Sequence, residues 1–195
     1  PDCMALDSMK QIPTINLRKL KANDPKEIEK LGEACHHWGF FRLIELDLRE
    51  GTASEFLAAM QVFFGLPHAD KKQLSRTQEN PWGYFDEELT KNKQDWKEIF
   101  DLNLDRADPG DQHQTPWPLR LPSFRATMLH WHQLCEAISL ILLESIRLSL
   151  RLPERSLSTH FTNGNSSFLR LNHYPVCPDP ADAKEDFPAK GHLGI

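Results

Sequence analysis

The sequence predicts an α+β fold in which helices brace short strands. Three observations point there: a long stretch of helical periodicity over residues 123–152, two shorter helical patterns with start signals, and brief period-two segments near each end, at 12–17 and 166–174.

Taken in order, residues 1–11 are polar and unpatterned and are read as a disordered N-terminus. Ile12-Pro13-Thr14-Ile15-Asn16-Leu17 alternates apolar and polar side chains, which suits a short strand with Pro13 near its start or on an edge. A helix follows. Asp24 is placed to cap it, Pro25 sits where a missing N–H costs nothing, and Glu27 favours the positive helix end. Ile28, Leu31, Cys35 and Trp38 then form one apolar stripe, and Gly39 ends the helix. Phe40-Phe41-Arg42-Leu43-Ile44 has the aromatic and branched composition of a buried strand.

A second helix is expected to open at Thr52, with Glu55 three positions on in capping-box spacing and Phe56, Met60, Phe63 and Phe64 facing inward; Pro67 limits it. From Ser75 to Leu121 short strands and ordered loops are expected. Asn80-Pro81 and Asp108-Pro109-Gly110 are turn signals, and Trp82, Tyr84, Phe85, Trp96, Phe100 and Trp117 supply apolar anchors. Over 123–152 the spacing of Leu134, Ile138, Ile141, Ser145 and Leu148 is helical. Residues 137–150 are apolar nearly all round, which predicts a buried scaffold helix, and the whole 123–152 stretch would be about 40 Å long, enough to brace a sheet. Residues 166–174 read as a strand ending at Pro175. Phe168, Arg170, Asn172 and Tyr174 point one way, and Leu169, Leu171 and His173 the other. A face carrying an Arg, an Asn and a Tyr either meets solvent or lines a polar pocket.

Composition narrows the function classes. The 195 residues fit one domain with one core. With 28 acidic against 23 basic residues the formal charge is −5, and the basic side chains are scattered, so nucleic acid is a poor partner. No stretch approaches the roughly 20 uncharged residues of a membrane helix. The cysteines, Cys3, Cys35, Cys135 and Cys177, form no Cys-x-x-Cys pair and are read as reduced, mostly buried thiols. With no basic-then-apolar leader pattern, the expected compartment is the cytoplasm.

The run Arg170-Leu171-Asn172-His173-Tyr174-Pro175-Val176-Cys177-Pro178-Asp179-Pro180 resembles the R-x-N-x-Y-P-x-C-P-x-P element of plant-type 2-oxoglutarate dioxygenases. Three further segments fall in that family's order: Ile12 to Leu17, Trp38-Gly39-Phe40-Phe41, and Gly83-Tyr84 leading to Asp95-Trp96-Lys97-Glu98-Ile99-Phe100. On these residues the chain is identified as similar to the N-terminal portion of an iron- and 2-oxoglutarate-dependent dioxygenase of the isopenicillin-N-synthase-like family. The resemblance implies a helix-rich dioxygenase region over 12–165, and over 166–195 the first strands of a double-stranded β-helix, or jelly roll, braced by the N-terminal helices.

It also implies Fe(II) held by two His and a carboxylate, 2-oxoglutarate as cosubstrate, ascorbate as reductant and a small organic substrate. The oxidation expected is hydroxylation, or desaturation or ring closure. The family's first His and carboxylate stand in an H-x-D motif shortly after the Y-P-x-C-P segment, about where Gly191-His192-Leu193-Gly194-Ile195 lies. His192 lacks the Asp two positions on and is not assigned as a ligand. No catalytic residue and no metal ligand is assigned within these residues, and this chain alone is expected to be inactive. The cosubstrate contacts implied are Tyr174, with Asn172 beside it and Arg170 on the same face. Where relatives continue W-G-F-F into an N-H-G turn, this sequence has Glu45-Leu46-Asp47.

Simpler readings compete. On a helix His130 and His132 point about 200° apart, so they cannot share an ion. His36-His37 is explained by the favourable interaction of cations with a helix C-terminus. Asp86, Glu87 and Glu88 read as a solvated turn. Trp82, Tyr84 and Phe85 are substrate-pocket candidates, with core packing equally natural. Two rival functions remain: a truncated, non-catalytic family member serving as a binding or oligomerisation module, and an iron-dependent oxidase that does not use 2-oxoglutarate.

Overall fold

The Asp24 and Pro25 signals start a helix as expected, whereas a short helix opening at Leu17, where the sequence reading continues the strand, was not foreseen. A computed structural model describes residues 11–90, 93–94, 96–103, 114–161 and 167–176. Strand β1 (Thr14–Asn16) runs directly into helix α1 (Leu17–Lys21), and helix α2 (Pro25–His37) follows. The Asp24 carboxylate accepts the Glu27 backbone N–H at 3.0 Å, and Pro25 occupies the first helical turn. Gly39, at φ 73°, ends the helix, its N–H donating to the Ala34 carbonyl. Strand β2 (Arg42–Ile44) pairs parallel with β1, Ile15 opposite Leu43.

The remaining elements are helices α3 (Thr52–Phe64) and α4 (His68–Lys72), strands β3 (Gly83–Phe85), β4 (Leu89–Thr90), β5 (Lys93–Gln94) and β6 (Glu98–Asn103), helix α5 (Pro122–Ser149) and strand β7 (Phe168–His173). Contacts divide the chain into two compact units, one of 1–49 with 134–165 and one of 50–133 with 166–195. Helix α5 contributes its N-terminal half to the second unit and the rest to the first. No described helix is long and apolar enough to cross a membrane.

The first unit packs Ile15, Leu20, Leu31 and Ala34 against Ile28, Phe41, Leu43, Ile141, Leu142 and Ile146. Here the expected apolar stripe is corrected. α2 buries Glu27, Leu31 and Ala34, while Cys35 is exposed and Cys135 only half-buried, so the described thiols are less buried than expected. Glu27 is tolerated inside because its carboxylate accepts the Asn16 N–H at 2.7 Å, tying α2 to β1. Nor is 40–44 buried on both sides. Phe41 and Leu43 pack inward, while Phe40 and Ile44 are exposed, because a two-stranded sheet offers one covered face. The C-terminal half of α5 presents Ile141, Leu142 and Ile146 to this core, whereas Leu140 is exposed; it is half-buried rather than buried all round. The Glu45-Leu46-Asp47 turn places two non-glycine residues at positive φ, Glu45 at 56° and Asp47 at 55°. Arg18 pairs with both carboxylates and Lys21 with Asp47.

The second unit is built on an antiparallel sheet of order β3-β6-β7. Its core holds Phe56, Phe63, Phe64, Tyr84, Phe100, Leu102, Phe124, Met128 and Leu171, with Met60, Trp117, Trp131 and Leu169 packed on the edge. Helix α3 begins at Thr52, but its cap is Gly51 in the left-handed region and no side chain caps it; the expected capping box is not formed. Gly83, at φ 117°, lets β3 pass close to the preceding segment: a Cβ there would overlap the Leu74 carbonyl oxygen and stand 2.8 Å from Pro116. His130 is exposed and His132 buried, as opposite helix faces require.

Candidate functional site

The β6–β7 register decides which side chains meet. Glu98 stands opposite His173, Phe100 opposite Leu171 and Leu102 opposite Leu169, and this face points into the core. Ile99 stands opposite Asn172, Asp101 opposite Arg170 and Asn103 opposite Phe168, on the other face. The period-two assignment of β7 therefore holds: Leu171 is buried, and Arg170 and Asn172 are exposed.

On the outer face, Asp101 is 3% exposed although it carries a charge. Its Oδ1 accepts from Arg170 Nε and its Oδ2 from Arg170 Nη2, both at 2.8 Å, a bidentate pair. Arg76 Nη1 lies 3.6 Å from Oδ2, and its guanidinium sits 3.5 Å from the Phe85 ring centroid. That hydrogen bond to Asp101 raises the Arg170 pKa above its ordinary value. The Arg76 and Arg170 guanidinium groups thus share the Asp101 carboxylate, and the Glu88 carboxylate also acts on Arg170. The same face of β7 carries the exposed Asn172, and Tyr174, just past the strand, is 45% exposed. The Trp82 and Phe168 rings lie 5.8 Å apart.

The core face carries a second polar cluster. Lys71, 5% exposed, donates to Glu98 Oε1 at 2.7 Å and to the Phe64 carbonyl at 2.8 Å. The Tyr84 hydroxyl donates to the same Glu98 oxygen at 2.7 Å, and His173 Nδ1 stands 2.9 Å from Oε2. Burial works to raise the Glu98 pKa, but these hydrogen bonds outweigh it and hold the carboxyl below its ordinary value. Burial, with the Glu98 contact, pushes the Tyr84 phenol up. Asp86 is not simply a solvated turn residue: it pairs with Lys72 at 2.6 Å and His68 at 2.7 Å, while Glu87 pairs with Lys72 and Glu88 with Lys97.

The substrate-pocket candidates are thus separated. Phe85 joins the outer face under Arg76, Trp82 lies beside Phe168, and Tyr84 is fully buried on the core face with its hydroxyl on Glu98. A groove of about 400 Å³ opens elsewhere in this unit, lined by Ala58, Ala59, Val62, Leu121 and Phe124 among others; Trp82, Tyr84 and Phe85 are not among its walls. Sequence reasoning missed Asp101, Lys71 and Glu98. A signal for Asp101 was present, a lone acid between Phe100 and Leu102 in an apolar strand; Lys71 had none.

Among the described residues no group of three or more His, Cys, Asp or Glu side chains could hold a metal ion, so these residues do not fit iron. The donor set of the R-x-N-x-Y element, a guanidinium and an amide on the outer face with an exposed phenol just past the strand, does suit a carboxylate. His192, Cys3, Cys177, Asp95, the Asp108-Pro109-Gly110 turn and the Pro178–Pro180 part of the motif lie outside the described residues.

Residues 12–123 match the family described as the N-terminal part of the non-haem dioxygenase in morphine synthesis. The chain belongs to this dioxygenase family. As its N-terminal portion, the dioxygenase chain is 27% identical over 175 residues to codeine O-demethylase of Papaver somniferum, covering 87% of this chain and 48% of that protein. It is 30% identical over 192 residues to the 2-oxoglutarate-dependent dioxygenase ecdK of Aspergillus rugulosus, covering 85% of this chain and 56% of that one. A solved 2OG-Fe(II) oxygenase family protein from Caulobacter crescentus superposes with TM-score 0.73 at 25% identity, over 88% of this chain and 58% of that one. The dioxygenase chain spans about half the length of the curated relatives it matches, and it shares the oxygenase fold over that part.

Proposed function

We propose that the protein carrying this dioxygenase chain is an Fe(II)- and 2-oxoglutarate-dependent oxygenase that oxidises a small organic substrate, by hydroxylation or by desaturation or ring closure. The observation that carries this reading is the R-x-N-x-Y element, where Arg170 and Asn172 stand exposed on the outer face of β7, Tyr174 follows the strand with its phenol accessible, and Arg76 adds a second guanidinium near Asp101. Family membership supports it, as do the names of relatives, among them a 2-oxoglutarate-dependent dioxygenase and a demethylase.

Bound iron would supply the oxidation of the cosubstrate and substrate by oxygen. What this chain's residues contribute is binding and orientation. The Tyr174 phenol and Asn172 amide donate to a cosubstrate carboxylate, and the Arg170 and Arg76 guanidinium groups favour its approach. Ascorbate is the proposed reductant and the cytoplasm the proposed compartment, a setting that suits the free thiols of Cys35 and Cys135.

The test is succinate release by the full-length protein supplied with Fe(II), ascorbate and 2-oxoglutarate, in the unaltered form and as Tyr174→Phe. Succinate formation that depends on iron is expected, with the KM for 2-oxoglutarate raised roughly tenfold in the variant, the size of one lost charge-assisted hydrogen bond. Iron-independent or absent turnover would overturn the reading. An unchanged KM would remove Tyr174 from the cosubstrate site.

A further inference from the structure

We propose that Asp101 is a positioning residue of the cosubstrate site, acting through Arg170 to hold the outer face of β7 in the one register that presents Asn172 and Tyr174 together. This rests on the oxygenase reading above. Asp101 lies in β6 between the fully buried Phe100 and Leu102 and is itself 3% exposed. A carboxylate that is nearly water-free is tolerated only when cations and donors take over its solvation. Arg170 does this with both carboxylate oxygens at 2.8 Å, from the position directly across the sheet, and Arg76 adds a second cation at 3.6 Å.

The consequence concerns register. A slip of β7 by one residue would turn Arg170, Asn172 and Tyr174 into the core, and a slip by two would leave Asp101 facing Phe168 or Asn172 and buried without its cross-strand cation. The apolar pairs Phe100–Leu171 and Leu102–Leu169 penalise the first slip. Against the second they are weaker, because Leu171 and Leu169 are interchangeable in character. Two polar cross-strand pairs distinguish that alternative, Asp101–Arg170 on the outer face and Glu98–His173 on the core face, and of these Asp101–Arg170 is the bidentate one and the one on the face that carries Asn172. It also spends two donors of the Arg170 fork on Asp101, so Arg170 serves the face chiefly by charge and by fixing the strand, leaving direct donation to Asn172 and Tyr174.

The experiment compares the unaltered full-length protein with Asp101→Asn and Asp101→Glu by two measurements. One is succinate release in the absence of organic substrate as a function of 2-oxoglutarate and of oxygen. The other is equilibrium dialysis of labelled 2-oxoglutarate against the Mn(II)-loaded protein without oxygen. Asp101→Asn is expected to raise the 2-oxoglutarate KM and dissociation constant roughly tenfold, and Asp101→Glu, which keeps the charge, roughly threefold, with kcat and the KM for oxygen within about twofold. A merely structural role would instead lower the active fraction, and so the apparent kcat, at constant KM. Should Asp101→Asn not fold, Asp101→Glu decides alone. If the unaltered protein binds 2-oxoglutarate but the folded variants bind it equally well, or lose only kcat, the positioning role is overturned and the oxygenase reading stands. If the unaltered protein neither binds 2-oxoglutarate nor forms succinate, both are overturned.

Discussion

Replacing Lys71 by Met is expected to destabilise the second unit by about 3 kcal/mol, the lower end of the cost of removing one partner from a buried ion pair. The structure sets that magnitude. The Lys71 side chain is 6% exposed and that of Glu98 14%, so neither charge is well screened by water. Without the ammonium, Glu98 keeps the Tyr84 hydroxyl at 2.7 Å and His173 at 2.9 Å, which limits the loss. The Phe64 carbonyl, however, loses its 2.8 Å donor, worth about 1 kcal/mol or more for a buried acceptor. Met fills a similar volume, so little cavity cost is added. Urea unfolding followed by tryptophan fluorescence reads the change: with a slope of about 2 kcal/mol/M the midpoint falls by roughly 1.5 M. The double variant Lys71→Met with Glu98→Gln should lose less than the sum of the singles, because each single change strands the other charge. A loss under about 1 kcal/mol, or additive effects, would refute the assignment of Lys71 and Glu98 as a coupled buried pair.

Gly83→Ala is expected to cost at least about 3 kcal/mol by the same unfolding assay, because a positive φ and an overlap with backbone act together and the Leu74 carbonyl cannot rotate away as a side chain would. Acid should destabilise the unit in a defined direction. Glu98 and Asp86 both titrate below their ordinary values when folded, so their contribution is complete above the ordinary carboxylate range of about 4 and is lost as pH falls through the folded values. The urea midpoint should fall below about pH 4 in the unaltered protein and less steeply in Glu98→Gln. Tyr84 has the opposite sign: its pKa is raised on folding, so stability should also decline as pH rises past the ordinary tyrosine value of about 10, and Tyr84→Phe should lessen that decline, leaving the part due to Lys72, whose pKa is raised by Asp86.

Local chemistry was readable from the residues themselves. Asp24 and Pro25 start α2 because a side-chain acceptor and a missing N–H act within one turn, and Gly39 ends it because only a few residues are at ease at its φ. The faces of β7 follow from a period of two, and the core positions Phe56, Phe63 and Phe64 follow from helical spacing. The R-x-N-x-Y run was equally legible, being contiguous.

What only the tertiary structure decided is which side chains lose water and what meets them there. Phe40, Ile44 and Cys35 are apolar by type yet exposed, because the elements that carry them have one covered face each. Glu27, Lys71 and Asp101 are charged by type yet buried, because each meets a complementary group from elsewhere in the chain: the Asn16 N–H, Glu98 and Arg170. The separations, 11, 27 and 69 residues, lie beyond any periodic pattern. Desolvation depends on the neighbours that folding brings, and those neighbours were fixed by strand register and helix packing rather than by adjacency in sequence.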